Sequence, residues 1–284
     1  MSKIYFDKLT GAGNDFIIID EQKNPSLCLN NEIIKKLCDR KFGIGADGLI
    51  IISKDDHYNF RMQYFNSNGF KGSLCGNGSR CAIWYSKLSG LVKDPEVKFI
   101  CENEFYRGEI IENEIIKFYL NDPFDIRLNF DIELENQILK ASFINTGSPH
   151  LVINIHDVFK KRNDTIHYYK NLSELPVIKL GRELRYHKEF GSEGTNVNFF
   201  QSNNQEIEIR TYERGVEDET LACGTGAVAV ALINYFQRDI SPPIKIKTWG
   251  GDTLIVNFDV ENKRLSNLSL VGPAKLVFTG IIEI

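Results

Sequence analysis

The sequence predicts an α/β (α+β) chain built as two similar domains, and three observations carry that prediction. Alternating or continuously apolar runs of strand length are interspersed with a few helical stretches. The 284 residues, 42% of them hydrophobic, are enough to bury sizeable cores and suit two domains. A cysteine followed by Gly-x-Gly opens a helical run twice, at Cys75-Gly76-Asn77-Gly78 and at Cys223-Gly224-Thr225-Gly226.

Taken in order, IYFDKLTGAGNDFIIID (4–20) reads as two strands about a glycine turn, with Asn14 and Asp15 at its mouth. A helix follows, capped by Asn30 or Asn31 and carrying Ile33, Ile34 and Leu37. GIGADGLIII (43–52) matches the dinucleotide pattern G-x-G-x-x-G, but that fingerprint belongs between a strand and a helix. Here the glycines precede the β-branched run Ile50 to Ile52, itself a strand. No phosphate-binding lysine follows either cysteine turn, which excludes a P-loop. YNFRMQYFN (58–66) is a further strand, leading through Asn66, Asn68 and Gly69 to the first cysteine turn. Strands near 97–101, 106–111 and 115–120 come after its helix, and Asn121-Asp122-Pro123 breaks the pattern. The domain crossing is placed there: 1–121 and 122–269, with 270–284 returning to the first domain. The second half restarts with strands, including ASFINTGSPHLVINI (141–155), then a polar insert at 160–170 and a helix from about 174 to 186. Strands in GTNVNFF and EIEIRTYERG lead to Cys223.

From Ala227 to Ile233 the run is apolar on every side of a 3.6-residue period, so that helix has to be buried. Cys223 sits where a loop enters it, among unpaired N–H groups at the positive end of the helix dipole, where an anion is favoured and a thiol pKa falls. An isolated cysteine is more often a small core residue. The second copy argues against packing alone, because glycines weaken a helix start yet let backbone amides approach a ligand. Two such thiols, from equivalent places in domains facing one another, suit the removal of a proton from one face of a carbon and its return on the other. One acts as thiolate base and one as thiol acid, which is racemisation or epimerisation. A carboxylate beside that carbon, held by amides at the helix N-termini, would accept the developing charge.

Other function classes find little support. A formal net charge of -4 gives no electrostatic case for nucleic acid, and Lys160-Lys161-Arg162 reads as a solvated face. The opening MSKIYFDKLT lacks the apolar core of a signal peptide and no run is long enough to span a bilayer, so no membrane partner and a cytoplasmic location are expected. The six cysteines, at 28, 38, 75, 81, 101 and 223, show no C-x-x-C pair and no zinc-like Cys/His spacing. His150 and His156 do not share a helix face, so reduced thiols and no metal are expected.

GAGNDF, FNSNGFKGSLCGNGSRCA, NTGSPH, GTNVNF, ERGVEDETLACGTGA and the closing GPA together resemble the diaminopimelate epimerase family in order and spacing, over essentially the whole chain. The resemblance implies two pseudo-symmetric domains, each a mixed β-barrel around a central helix, in a homodimer that uses neither metal nor pyridoxal phosphate. The implied small-molecule substrate is LL-2,6-diaminopimelate, converted to the meso form for lysine and peptidoglycan synthesis. The resemblance makes Cys75 the donor and Cys223 the acceptor of an acid/base pair whose roles exchange in reverse. It makes Asn14, Asn66 and Asn196 substrate-binding amides, and Gly76-Asn77 and Gly224-Thr225 carboxylate cradles. Glu213 and Arg214 would meet the amino and carboxylate groups of the substrate, the latter through the bidentate fork of a guanidinium. His150 and Glu213 would tune the thiols. For each asparagine alone, a turn or cap is the simpler role.

Two positions depart from the family's pattern: Ser148, a further substrate-binding position, stands where many members have asparagine, and Gly48 where some have a substrate-binding glutamine. Rival readings are a proline or hydroxyproline racemase-type enzyme, a phenazine-type isomerase and a non-catalytic amino-acid-binding protein on the same fold. The first would carry histidine after the first Cys-Gly and Asp-Arg-Ser-Pro before the second cysteine, where this chain has Asn77 and Glu213-Arg214. The second would lack the two thiols. The third would show ligand protection of a cysteine without exchange of the ligand's α-hydrogen.

Overall fold

The structure, a computed structural model, describes residues 3–72, 74–162, 165–203, 206–262 and 264–284. Ser73 of the first cysteine motif, and Asn163 and Asp164 of the polar insert, lie outside the described residues, as do the side chains of Lys160-Lys161-Arg162. The chain divides into two compact units, Met1–Tyr119 with Val271–Ile284, and Leu120–Leu270.

The first unit opens with β1 (Lys3–Gly11) and β2 (Asn14–Asp20), joined by Ala12 and Gly13 at φ 56° and 95°. Two left-handed residues in a two-residue turn match the twist of the hairpin they close. Then come α1 (Asn31–Cys38), β3 (Gly48–Ser53), β4 (Phe60–Asn66), α2 (Gly76–Leu88), β5 (Glu96–Cys101), β6 (Glu104–Glu112) and β7 (Ile115–Tyr119). The rest of the chain carries β8 (Phe124–Leu134), β9 (Gln137–Asn145), β10 (Pro149–Asn154), β11 (Phe159–Arg162), β12 (Thr165–Tyr168), α3 (Val177–Arg185), β13 (Asn196–Asn203), β14 (Glu206–Glu213), β15 (Asp218–Thr220) and α4 (Gly224–Arg238). It closes with β16 (Ile244–Lys247), β17 (Thr253–Glu261), β18 (Arg264–Pro273) and β19 (Lys275–Glu283).

In the first unit β1 lies antiparallel to β19 and to β2. From β2 to β6 the pairs then run parallel, antiparallel, parallel, antiparallel, and β7 adds antiparallel to β6. In the second unit β8 pairs antiparallel with β9. Along β9, β10, β13, β14, β16 and β17 the pairs again run antiparallel, parallel, antiparallel, parallel, antiparallel, and β15 lies on the end of β14. A parallel pair needs a crossover, and each has its helix. α1 bridges β2 to β3, α2 bridges β4 to β5, α3 stands between β10 and β13, and α4 between β14 and β16.

The helices fall into two kinds. α1 is amphipathic: Asn30, rather than Asn31, caps it by accepting the Ile33 N–H at 2.9 Å, and Ile34, Leu37 and Cys38 pack on Ile17, Ile19, Leu49 and Ile51. α3 likewise buries Val177, Leu180 and Leu184. It begins after Pro176, later than the 174 expected, because Leu172–Glu174 form a separate 3-10 turn. α2 and α4 are instead buried all round, from Gly76 to Ser86 and from Gly224 to Asn234. α2 touches β1, β2, β3, β4, β6, β7 and β19, and α4 touches β9, β10, β13, β14, β16 and β17. A sheet meets one helix along so many strands only by curling around it. Burial of Val228, Val230, Leu232 and Ile233 stabilises that arrangement by about 1.5–3 kcal/mol each.

The stretch 160–170, read from the sequence as a polar insert, holds most of the antiparallel pair β11–β12.

Candidate active site

Cys75 and Cys223 occupy the same local position, the N-cap of a buried helix, with φ/ψ of −107°/114° and −121°/111°. The Cys75 carbonyl accepts from Ser79 N–H at 2.8 Å and the Cys223 carbonyl from Ala227 N–H at 2.9 Å, so each begins its helix. The amides of the three residues between have no intrahelical acceptor in such a geometry, which favours an anion. Cys75 is half-buried and its Sγ accepts the Gly78 N–H at 3.4 Å; Cys223 is buried. Burial acts on the thiols of three other cysteines. It pushes the thiol of Cys101 up to about 11, that of Cys38 up to about 12, and that of Cys81 up further, so these stay protonated core residues.

Around the first cysteine, the site residues are tied into one polar chain. Arg80, fully buried, donates to Asn77 Oδ1 at 2.8 Å and to the Gly76 carbonyl at 3.3 Å. Asn77 Nδ2 donates to Asn14 Oδ1, and Asn14 Nδ2 to Asp47 Oδ2 at 3.1 Å. Arg40 bridges Asp47 to Asp15, which also pairs with the buried Lys8 at 2.8 Å. Although burial alone would raise the Asp15 carboxyl, Arg40 and Lys8 outweigh it and hold Asp15 well below the usual carboxylate range. Gly11 lets β1 approach α2 here: a Cβ would lie 2.9 Å from the Asn77 carbonyl oxygen. Asn66 ends β4, half-buried, with its N–H donated to Phe70 O at 2.9 Å. Gly48 has a steric reason to lack a side chain, since a Cβ would lie 2.6 Å from the Tyr64 ring and 2.7 Å from Phe65 O.

Around the second cysteine the chain is different. Cys223 Sγ is 3.6 Å from Thr225 Oγ1, Thr225 Oγ1 is 2.9 Å from His150 Nε2, and His150 Nδ1 is 3.1 Å from Asn198 Nδ2. The Thr225 hydroxyl thus stands between His150 and the sulfur, a place the cradle assignment for Thr225 did not anticipate. Burial pushes the His150 imidazole down to about 3, with the Arg214 guanidinium adding to the effect, so the ring is neutral. Asn196 is tied at both ends of its amide: Oδ1 accepts Arg214 N–H at 2.8 Å and Nδ2 donates to Pro149 O at 2.9 Å. Among the described residues these two bonds leave the second Nδ2 hydrogen for a further acceptor. Glu213 Oε2 accepts the Thr220 hydroxyl at 2.8 Å. The partly buried Arg214 lies 3.6 Å from the carboxylate of the exposed Glu193. Ser148 is buried in the turn at Gly147, φ 96°, where its carbonyl accepts Thr146 N–H at 3.1 Å.

Asn198, Thr211 and Arg80 were not singled out from the sequence. Asn198 had a signal: it lies two residues from Asn196 on a strand, hence on the same face. Among the described residues no group of three or more His, Cys, Asp or Glu side chains could hold a metal ion.

The family model described as diaminopimelate epimerase matches residues 6–114 and 142–277. The chain belongs to the diaminopimelate epimerase family. Both cysteine turns fall inside the matched segments. Diaminopimelate epimerase of Chlorobaculum tepidum is 38% identical over 279 residues, 97% of this chain and 100% of that protein. Those of Flavobacterium psychrophilum and Aquifex aeolicus are 39% and 37% identical, again over 97% of this chain and 98% and 96% of theirs. Among solved structures, a phenazine biosynthesis protein of the PhzF family from Bacillus anthracis superposes with a TM-score of 0.73 at 16% identity, covering all of both chains. A hydroxyproline epimerase from Agrobacterium vitis gives 0.71 at 11%, covering 99% of this chain and 92% of its own. At those identities the likeness concerns the fold, a mixed α/β architecture that the diaminopimelate epimerase family shares with the rival classes.

Proposed function

We propose that this chain is an isomerase that interconverts LL-2,6-diaminopimelate and meso-diaminopimelate by moving a proton at one α-carbon, in lysine and peptidoglycan precursor synthesis. The observation that carries this reading is the pair of cysteine N-caps with matching backbone, in a chain of this family. Residues 1–121 with 270–284 form one domain and 122–269 the other, each supplying one cysteine. Cys223 as thiolate removes the α-proton and Cys75 as thiol delivers one to the opposite face; the product leaves with the roles exchanged. Amides of Gly76-Asn77 and Gly224-Thr225 hold the α-carboxylate, so charge that builds on its oxygens as the proton departs meets fixed dipoles. Neither metal nor pyridoxal phosphate has a step to perform. Asn14, Asn66, Asn196 and Ser148 line the substrate. Glu213 and Arg214 bind its amino and carboxylate ends, and the long contact from Arg214 to solvent-exposed Glu193 is one a substrate carboxylate can replace. His150 does not carry the proton, since a ring with a pKa near 3 stays neutral throughout.

The test is incubation with LL-diaminopimelate in deuterated water without added cofactor. The meso product is expected to carry solvent deuterium while recovered substrate, early in the reaction, carries little. Label washing into unreacted substrate ahead of inversion would point to one polyprotic base, and no exchange at all would leave a binding protein. The enzyme is placed in the cytoplasm as a homodimer. The exposed apolar side chains of Tyr5, Val277 and Ile281 on the β1–β19 pair support association, which light scattering would read directly.

A further inference from the structure

We propose that Asn198 is a positioning residue that sets the direction of a hydrogen-bond chain running from the Leu151 carbonyl through His150 and Thr225 to Cys223, so that the Thr225 hydroxyl donates to the sulfur. The inference rests on Cys223 being the base of the proposed reaction.

The direction follows from the fixed end. Asn198 Nδ2 lies 3.0 Å from the Leu151 carbonyl oxygen, and Asn198 Oδ1 lies 3.0 Å from the Thr211 hydroxyl. Rotating the amide by half a turn would set two carbonyl oxygens 3.0 Å apart, so Nδ2 is the atom on that side. Its second hydrogen then points at His150 Nδ1, 3.1 Å away, which has to be the lone-pair nitrogen. In a neutral imidazole the proton is therefore on Nε2, and Nε2–H donates to Thr225 Oγ1 at 2.9 Å. With an oxygen lone pair occupied in this way, the hydroxyl hydrogen is available for Cys223 Sγ at 3.6 Å, a sulfur-type hydrogen-bond distance. Each of these residues, Cys223 included, is buried, and His150 and Asn198 are fully so. The charged side chains flanking the chain are Glu213, held by Thr220, and Arg214, both at the end of β14; neither is interposed in it.

A donor aimed at Cys223 favours the thiolate over the thiol, because the thiolate is the stronger acceptor. Reversing the chain should withdraw that donor. An aspartate at 198 accepts from His150 Nδ1–H and moves the lone pair to Nε2, which then takes the Thr225 hydroxyl hydrogen away from the sulfur. Valine at 225 removes the hydroxyl with little change of shape and no change of charge.

The experiment is alkylation of the purified protein with iodoacetamide across pH 5 to 10, with the rate at each cysteine read by peptide mass. Asn198→Asp and Thr225→Val should both move the Cys223 midpoint upward and slow its alkylation near neutral pH by about 10-fold or more, the effect of losing one hydrogen bond to a charged group. The rate at Cys75 should be unchanged in both, and Thr225→Ser should restore the wild-type midpoint at Cys223. An unchanged Cys223 rate in Thr225→Val would overturn the inference. So would an effect of Thr225→Val without one of Asn198→Asp, or a slowing shared equally by Cys75. Since the readout is thiol chemistry, a failure to epimerise diaminopimelate would leave this result standing, and the reverse holds too.

Discussion

At Cys75 the sulfur accepts a backbone amide, Gly78 N–H, and the polar chain behind the turn ends in charged groups: Arg80 on one side, and Asp47, Arg40, Asp15 and Lys8 on the other. At Cys223 the helix has no side-chain cap bond, and the hydrogen-bonded chain that reaches the sulfur is built of neutral groups: a threonine hydroxyl, an uncharged imidazole and an asparagine. The backbone of the two turns is nearly the same, so the difference lies in their supports. An ion cluster fixes position by many strong contacts and depends little on which hydrogen points where. A neutral chain fixes hydrogen direction, and that direction is lost with a single substitution. Two cysteines with one backbone geometry can thus be prepared for unequal duties.

The comparison breaks most visibly if the duties are not both needed. Cys75→Ala and Cys223→Ala should each lower epimerisation by about 10³-fold, since proton transfer stops when either face lacks its group. The measurement is the rate of LL-to-meso conversion by each variant. Substantial activity in either would remove that cysteine from the mechanism.

The supports also answer differently to acid. The His150 imidazole falls from 6.5 to about 3 on folding, so between these values the unfolded chain binds a proton that the folded one does not. Stability therefore declines as pH drops below 6.5, by about 1.4 kcal/mol per unit, and this contribution is absent above that pH. Asp15, whose carboxyl is depressed, loses stability in the same direction, but only once the pH approaches the carboxylate range. His150→Asn should therefore flatten the wild-type decline between pH 6.5 and 5 by about 2 kcal/mol, as read from urea unfolding at each pH. Parallel curves for wild type and variant would mean that His150 titrates normally and that the chain behind Cys223 is not held neutral.

These supports were legible in the sequence to unequal degrees. The two cysteine caps and the burial of α4 follow from local pattern, because a helix start and a helix face are set by residues within a few positions. For α1 the local pattern narrowed the cap to Asn30 or Asn31, and the Ile33 N–H bond selects Asn30. Asn198 could not be assigned a partner in that way: its contact with His150 joins residues 48 apart through the parallel pairing of β10 and β13, and His150 meets Thr225, at the start of α4, from 75 apart. The cluster of Asp15, Arg40 and Asp47 likewise forms only when β2 and β3 align. Gly48 illustrates a further limit. Its lack of a side chain read as a departure from a binding pattern, and its physical reason, the Tyr64 ring, sits on the neighbouring strand β4.

The second glycines of the two turns give the finest test of the comparison, because they look interchangeable in sequence. A Cβ at Gly226 would stand 2.3 Å from Asn198 Oδ1, an atom that cannot yield easily: Thr211 holds it, and the amide's other end is bound to Leu151 O and His150. A Cβ at Gly78 would first meet Ile50 Cδ1 at 3.2 Å, the tip of an aliphatic chain that can shift by a few tenths of an ångström. Both positions are helical, so alanine brings the same propensity gain of up to about 1 kcal/mol to each. At Gly78 that gain offsets the small repacking cost, and Gly78→Ala should change stability by less than about 1 kcal/mol. At Gly226 the clash dominates, and Gly226→Ala should cost about 1–3 kcal/mol. It should also displace Asn198 and so slow alkylation at Cys223 but not at Cys75. Urea midpoints for the two variants decide the matter: equal losses would show that both glycines serve the turn alone, and that the neutral chain behind Cys223 places no demand of its own.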